Sequence, residues 1–347
     1  MKLYKYRYGS KRDLEALEND YFYVPHPSKL NDPSENLFDE KPIYNCLEFF
    51  EQYFEKNTIV LSESVTDLFE IIRKNIGIYS LSKTVKDELL WAYYANSHCG
   101  FCIEYDFNKL IELNSITASF EVDYQDNPPT LLLNKVMQNT DQSITELLKV
   151  TSGIKSKKWQ HEEEFRICTE PFGKFDYDYR AVKAIYFGLR MPKLEKDLDK
   201  DNKNLPDYFS RVCQEQVMSA LKGRGVKYYQ MVLKPKSYNF DYIEIEDLFK
   251  NEKKYKDKIG HISKDFIDYE GYGYTIEKKY FDQVAEIIRR EPYFYELNTI
   301  NLATEESNRR GEPIVFAGFF KEENNWKQIK RFFTLNEIEE AYNNLNL

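Results

Sequence analysis

Leu3, Lys5 and Arg7 alternate with Tyr4, Tyr6 and Tyr8, the period of two that predicts a strand with distinct faces. Arg7 falls near its end. Gly9-Ser10 breaks the strand, and Ser10 with Asp13 makes a capping-box start for a short helix carrying Leu14 and Leu17 on one face. Tyr21 to Val24 reads as a second strand halted by Pro25 and Pro27, and Asn31-Asp32-Pro33 reads as a turn. Apolar spacings of three and four predict packing helices over 47–54 and 65–72. A strand over 76–82 follows. Thr84 with Asp87 then opens a helix through Leu89, Leu90, Tyr93 and Tyr94 that Gly100 ends, before Phe101, Ile103 and Tyr105 alternate as another strand.

After the breaking pair Pro128-Pro129 a helix is predicted over 131–150, and 159–168 alternates as a strand. Strand patterns at 182–189 and 226–233 enclose a helical face of Phe209, Val212, Cys213, Val217, Ala220 and Leu221, closed by Gly223. This is a strand-helix-strand unit. From about residue 251 the lysine density rises through Lys253, Lys254, Lys256 and Lys258, which suggests a boundary between a domain at 1–250 and a small C-terminal α+β module at 251–347. The module carries a helix with Phe281, Val284, Ile287 and Ile288, a strand at 314–319, and a last helix capped by Thr334 and Glu337.

With 42% hydrophobic and 31% charged residues the 347-residue chain has the composition of a folded globular protein. No apolar run approaches the roughly 18 residues a membrane helix needs. Lys2, Lys5 and Arg7 stand where a secretory signal would place an apolar stretch, so a cytoplasmic location and no membrane partner are expected. The balance of 49 basic against 58 acidic residues, −9, argues against sequence-independent capture of nucleic acid. Five scattered cysteines fit reduced thiols, and 28 Tyr with 24 Phe are expected to dominate the core.

The string from Lys157 to Ile167 is the most informative chemically. As a strand it buries Phe165 and Ile167 and projects Glu162, Glu164 and Arg166 together from the other face. Such a group is either an active site or a solvated edge strand with mixed charges. Ser80 and Ser82 share a strand face, and His98 at a helix C-terminus is either a dipole-stabilised imidazolium or a simple cap. Cys99 and Cys102 with His98 are too few ligands for a tetrahedral site, so no metal is expected. Neither Gly271-Tyr272-Gly273 nor Gly223-Arg224-Gly225 continues into a nucleotide fingerprint.

The ordered series Leu3 to Arg7, Leu30 to Pro33, Tyr79 to Ser82, Leu90 to Ala95, His98 to Ile103, Trp159 with Glu162, Glu164 and Arg166, and Tyr186-Phe187-Gly188 resembles an uncharacterised bacterial family. It is catalogued only as a domain of unknown function, number twenty-nine seventy-one, and the resemblance covers about Leu3 to Leu248. Asp32 and His98 match its motifs. More distantly, an early Arg, a Ser-x-Ser strand and a Glu-x-Glu strand look like ADP-ribosyltransferases of the arginine-serine-glutamate type, while Tyr21 offers a rival middle element of the histidine-tyrosine-glutamate branch. That likeness implies an α+β fold with a mixed, mainly antiparallel central sheet flanked by helices. It implies NAD as substrate, Arg7 on its phosphate, Ser82 or Ser80 on the nicotinamide side, Glu164 on the ribose hydroxyl, Glu162 on a protein or nucleic-acid acceptor, and a toxin or antiphage role. Two other readings stay open: a nucleic-acid-processing or nucleotide-binding effector using Asp32, His98, Glu162, Glu164 and Arg166, and a non-enzymatic sensor or adaptor. The latter would bind a protein partner at the C-terminal module through Tyr293, Phe294 and Tyr295.

Overall fold

The computed structural model describes the chain except 55–56, 138–140, 199–201, 203–204, 251–259, 292–293 and 346–347, with backbone alone at 135 and 141–143. It divides into two compact units, Met1–Leu221 with Gly225–Leu248, and Lys222–Arg224 with Phe249–Leu347. The lysine run at 253–258 lies outside the described residues.

The first unit is built on an eight-stranded sheet. Its spatial order is Phe240–Ile245, Lys227–Leu233, Val182–Phe187, Phe101–Asp106, Lys2–Arg7, Gly77–Ser82, Glu164–Thr169 and Ala118–Glu121. All neighbours pair antiparallel except Val182–Phe187 with Lys227–Leu233. The fold is thus α+β with a mixed, mainly antiparallel sheet. The parallel pair needs a crossover, and the helix Gln214–Ala220 lies in it. Phe209, read as part of that helical face, is instead exposed in a short 3-10 turn, Asp207–Phe209.

One sheet face carries two apolar clusters. Helices Lys41–Phe54, Ile59–Asn75 and Asp141–Ser152 contribute Ile43, Leu47, Phe69, Ile72 and Leu148 against Ile78 and Cys168. The helix Glu88–Tyr94 packs Leu90 and Trp91 against Tyr6, Cys102 and Tyr186. Asp87, not Thr84, caps that helix, its carboxylate accepting from the Leu90 N–H at 3.0 Å. Between the two clusters the same face is polar. Where a helix was expected over 131–150, two occur, Leu133–Val136 and Asp141–Ser152.

The opposite face packs the helix Lys11–Glu18 and a ribbon of Tyr21–Val24 with Gly173–Asp176. Phe22 lies 4.7 Å from the Tyr79 ring. The Ser10–Asp13 capping box opens that helix as its sequence predicts.

The second unit is a three-stranded antiparallel sheet, Glu296–Leu302, Ile314–Phe320 and Gln328–Thr334, with helices Lys278–Ile288, Thr304–Arg310 and Leu335–Asn343. Phe281, Val284, Ile288, Phe319 and Ile338 form its core. Phe294, expected on the surface, is buried in that core, while Tyr295 is half exposed and Tyr293 lies outside the described residues. The Thr334–Glu337 capping box is intact, both reciprocal bonds being made. Thr334→Ala is therefore expected to cost about 1 kcal/mol, measured as a shift in this unit's denaturant midpoint.

Candidate functional site

Register fixes which side chains meet. Tyr4 pairs with Ser82, Ser82 with Glu164, and Ser80 with Arg166, so these side chains share the polar strip between the two clusters. Glu162 arrives by another route. The predicted strand over 159–168 starts only at Glu164, and Lys157–Glu162 is a 3-10 helix ended by Glu163 in the left-handed region (φ 43°). That turn folds Glu162 back over Glu164, and the Ser82 hydroxyl pins it by donating to the Glu162 carbonyl at 2.7 Å.

Glu162 and Glu164 line a cavity of about 110 Å³ together with Lys5, Glu35, Ser80, Ser82, Tyr94 and Lys155. The site is not a solvated edge: Glu162, Glu164 and Arg166 are all buried. Lys155 Nζ reaches Glu162 Oε2 at 2.7 Å, Glu164 Oε2 at 3.2 Å and Glu35 Oε1 at 3.7 Å. Beneath them the fully buried Arg166 donates through Nε to Glu164 Oε1 at 2.9 Å and pairs with Glu35 at 2.8 Å. The Tyr94 hydroxyl donates to Glu162 Oε1 at 2.6 Å and accepts from Asn31 at 2.6 Å. The Lys155 ammonium also sits 4.8 Å from the Trp159 ring centre.

Three carboxylates thus face two cations within one buried network, a formal surplus of one negative charge. Burial pushes the Glu164 carboxyl up, but the Arg166 and Lys155 charges overcome it and hold it at about 2. Glu35 differs: burial outweighs Arg166 and raises it. Because Glu164 is held below its unfolded value of 4.5, the unfolded chain binds its proton first on acidification. Its stabilisation is complete above about pH 4.5 and is lost toward pH 2. Urea unfolding in that window is expected to show a steeper loss for the native chain than for Glu164→Gln.

Residues 90–167 match the model of a family described as a protein of unknown function (DUF2971). The matched stretch runs from the Glu88–Tyr94 helix into the Glu164–Thr169 strand and holds Tyr94, Lys155, Glu162, Glu164 and Arg166. Lys5, Glu35, Ser80 and Ser82 lie before it. No curated protein and no solved structure matches the chain.

Several residues chosen from sequence lie elsewhere. Arg7 is three positions from Tyr4, so strand parity turns it to the opposite sheet face; there it donates to the Tyr79 hydroxyl at 3.2 Å and faces Asp13 at 3.9 Å. It does not line the cavity with Glu164. Tyr21 is in the ribbon on that face, under the Lys174 ammonium at 3.7 Å. His98 packs its ring on Phe240 at 5.5 Å, and its carbonyl accepts from the Arg190 N–H. Burial and then Arg190 push its imidazole down, which disfavours the imidazolium alternative among the two readings of this residue. Asp32 is buried and closes its own turn by accepting from Ser34 at 2.9 Å. It lines a separate cavity of about 460 Å³ that shares Glu35 with the first.

Lys5, Glu35, Tyr94 and Lys155 were missed in the sequence. Lys5 has the parity of Arg7, yet Lys2–Arg7 and Gly77–Ser82 share one register pair, Tyr4 with Ser82. Beyond it Ser80 lacks a strand partner on that side, and the Lys5 amine fills the opening by donating to the Ser80 carbonyl at 2.6 Å. Burial, followed by the Arg7 charge, lowers this amine to about 7.

Proposed function

We propose that the cavity is the active site of an enzyme that breaks the N-glycosidic bond of a nucleotide, with NAD as substrate and a protein, nucleic acid or water as acceptor. The observation that carries this reading is the buried carboxylate pair Glu162 and Glu164 over a cavity, in a network with one negative charge in excess. Departure of nicotinamide leaves positive charge on the ribose, and a fixed, buried anion lowers the energy of that transition state.

The two acids then have unequal tasks. Both Glu164 oxygens are taken by Arg166 and Lys155, so it is a strut that fixes Lys155. Glu162 has one cationic partner and one neutral donor, Tyr94, which leaves more of its charge to act on a ribosyl cation. Ser82 holds the Glu162 backbone, and Ser80 lies beside it on the cavity wall. With Arg7 on the other sheet face, the reading concerns the nicotinamide-ribose end alone. Incubating the full chain with NAD and measuring nicotinamide is expected to show release. None, with water or with protein and nucleic-acid acceptors, overturns the reading.

A further inference from the structure

We infer that Lys5 is a nucleophilic amine that forms a Schiff base with a small aldehyde, specifically the open-chain C1 aldehyde of a ribose phosphate, in the cavity it lines. The choice of sugar rests on the glycosidic reading, since breaking that bond with water leaves a ribose able to ring-open; the amine's reactivity does not.

An amine attacks a carbonyl only when unprotonated, and enzymes obtain such lysines by desolvation or by placing another cation alongside. Lys5 has both. Its Nζ is wedged in the opening between two strands, 4.5 Å from the Tyr79 ring centre, with Arg7 on its own strand and face. Charged and titratable groups act on it from several elements. Cys102 adjoins from the neighbouring strand, Glu162 and Glu164 act on it across the cavity, and Tyr94, Lys155 and Glu35 complete the wall. The two acids favour the ammonium, but burial and Arg7 prevail. None of the ion pairs within the charged network uses Lys5, whose bond goes to a carbonyl oxygen. The ammonium of Lys155, by contrast, is locked to three carboxylates.

In the step, the Nζ lone pair adds to C1, and the carbonyl π pair moves to oxygen, which takes a proton from water. The nitrogen loses its first proton to the hydroxide so formed and its second, by way of water, to the hydroxyl, which leaves as water, forming C=N. Added water reverses the reaction, so no oxidant or reductant is needed. Cyanoborohydride hydride converts C=N to a stable secondary amine and makes the adduct visible.

The test treats the full chain with ribose 5-phosphate and sodium cyanoborohydride and locates the added mass by peptide fragmentation. Lys183, exposed on the Val182–Phe187 strand, is the internal comparison. Lys5 is expected to carry at least tenfold more adduct than Lys183 at pH 7.5, with labelling that climbs through about pH 7, whereas an ordinary lysine climbs near 10. Lys5 labelled no more than Lys183 overturns the inference, and the wild-type chain supplies that answer without any variant. Lys5→Arg should abolish the selective adduct. Adduct without nicotinamide release keeps the amine and overturns the glycosidic reading; release without adduct does the reverse.

Discussion

Arg166→Met is expected to lower the unfolding free energy of the first unit by about 3–5 kcal/mol, the cost typical of removing one partner from a buried ionic network. The guanidinium is wholly inaccessible and serves Glu164 through Nε and Glu35 through its terminal nitrogens. Methionine fills much of the volume but carries no charge. Lys155 would then face three carboxylates alone, at 2.7, 3.2 and 3.7 Å. Glu35, already raised by burial, would take up a proton in response. Urea unfolding followed by tryptophan emission measures the loss, since Trp91 and Trp159 report on the first unit and Trp326 on the second. Adding Glu164→Leu to the variant should restore part of it, because a neutral pair needs no counter-charge. A loss under about 1 kcal/mol for Arg166→Met would show that the network contributes little.

Local periodicity carried most of the fold. The alternation of Phe165 and Ile167 with Glu164 and Arg166 places the last two on one face, and the capping boxes at Ser10 and Thr334 open real helices. These signals act over two to four residues, which is why one sequence reveals them. Glu162 was grouped with Glu164 for a reason that fails: no strand parity links them, and the left-handed Glu163 does. A sharp reversal at a glutamate has no compositional signal. Arg7 illustrates the converse error. Its alternation with Tyr4 and Tyr6 already put it on the other face from Tyr4, but only the pairing of Tyr4 with Ser82 shows that this is the face away from Glu164. Glu35 meets Arg166 across 131 positions and Lys5 meets Ser80 across 75. Contacts of that range depend on strand order, which the sequence pattern left unspecified.

Glu162→Gln is expected to reduce nicotinamide release from NAD by about 10²–10³-fold, the usual loss when one group that stabilises transition-state charge is removed. Glutamine preserves the shape and removes the charge; its one carbonyl oxygen can still accept from Lys155, while its amide N–H group then faces the Tyr94 hydroxyl, so the bond from Tyr94 is lost along with the charge. It also brings the network's three carboxylates down to two, matching the two cations. The site then has no negative surplus with which to meet a ribosyl cation. The loss should fall on kcat with KM nearly unchanged, since the charge appears only in the transition state. Tyr94→Phe makes the complementary comparison. It leaves the Glu162 charge in place and removes one neutral bond at 2.6 Å, so its loss should be smaller, near tenfold, and accompanied by looser placement of the carboxylate. Equal losses for the two variants, or full activity in Glu162→Gln with the fold confirmed by circular dichroism, would take the chemistry away from this carboxylate.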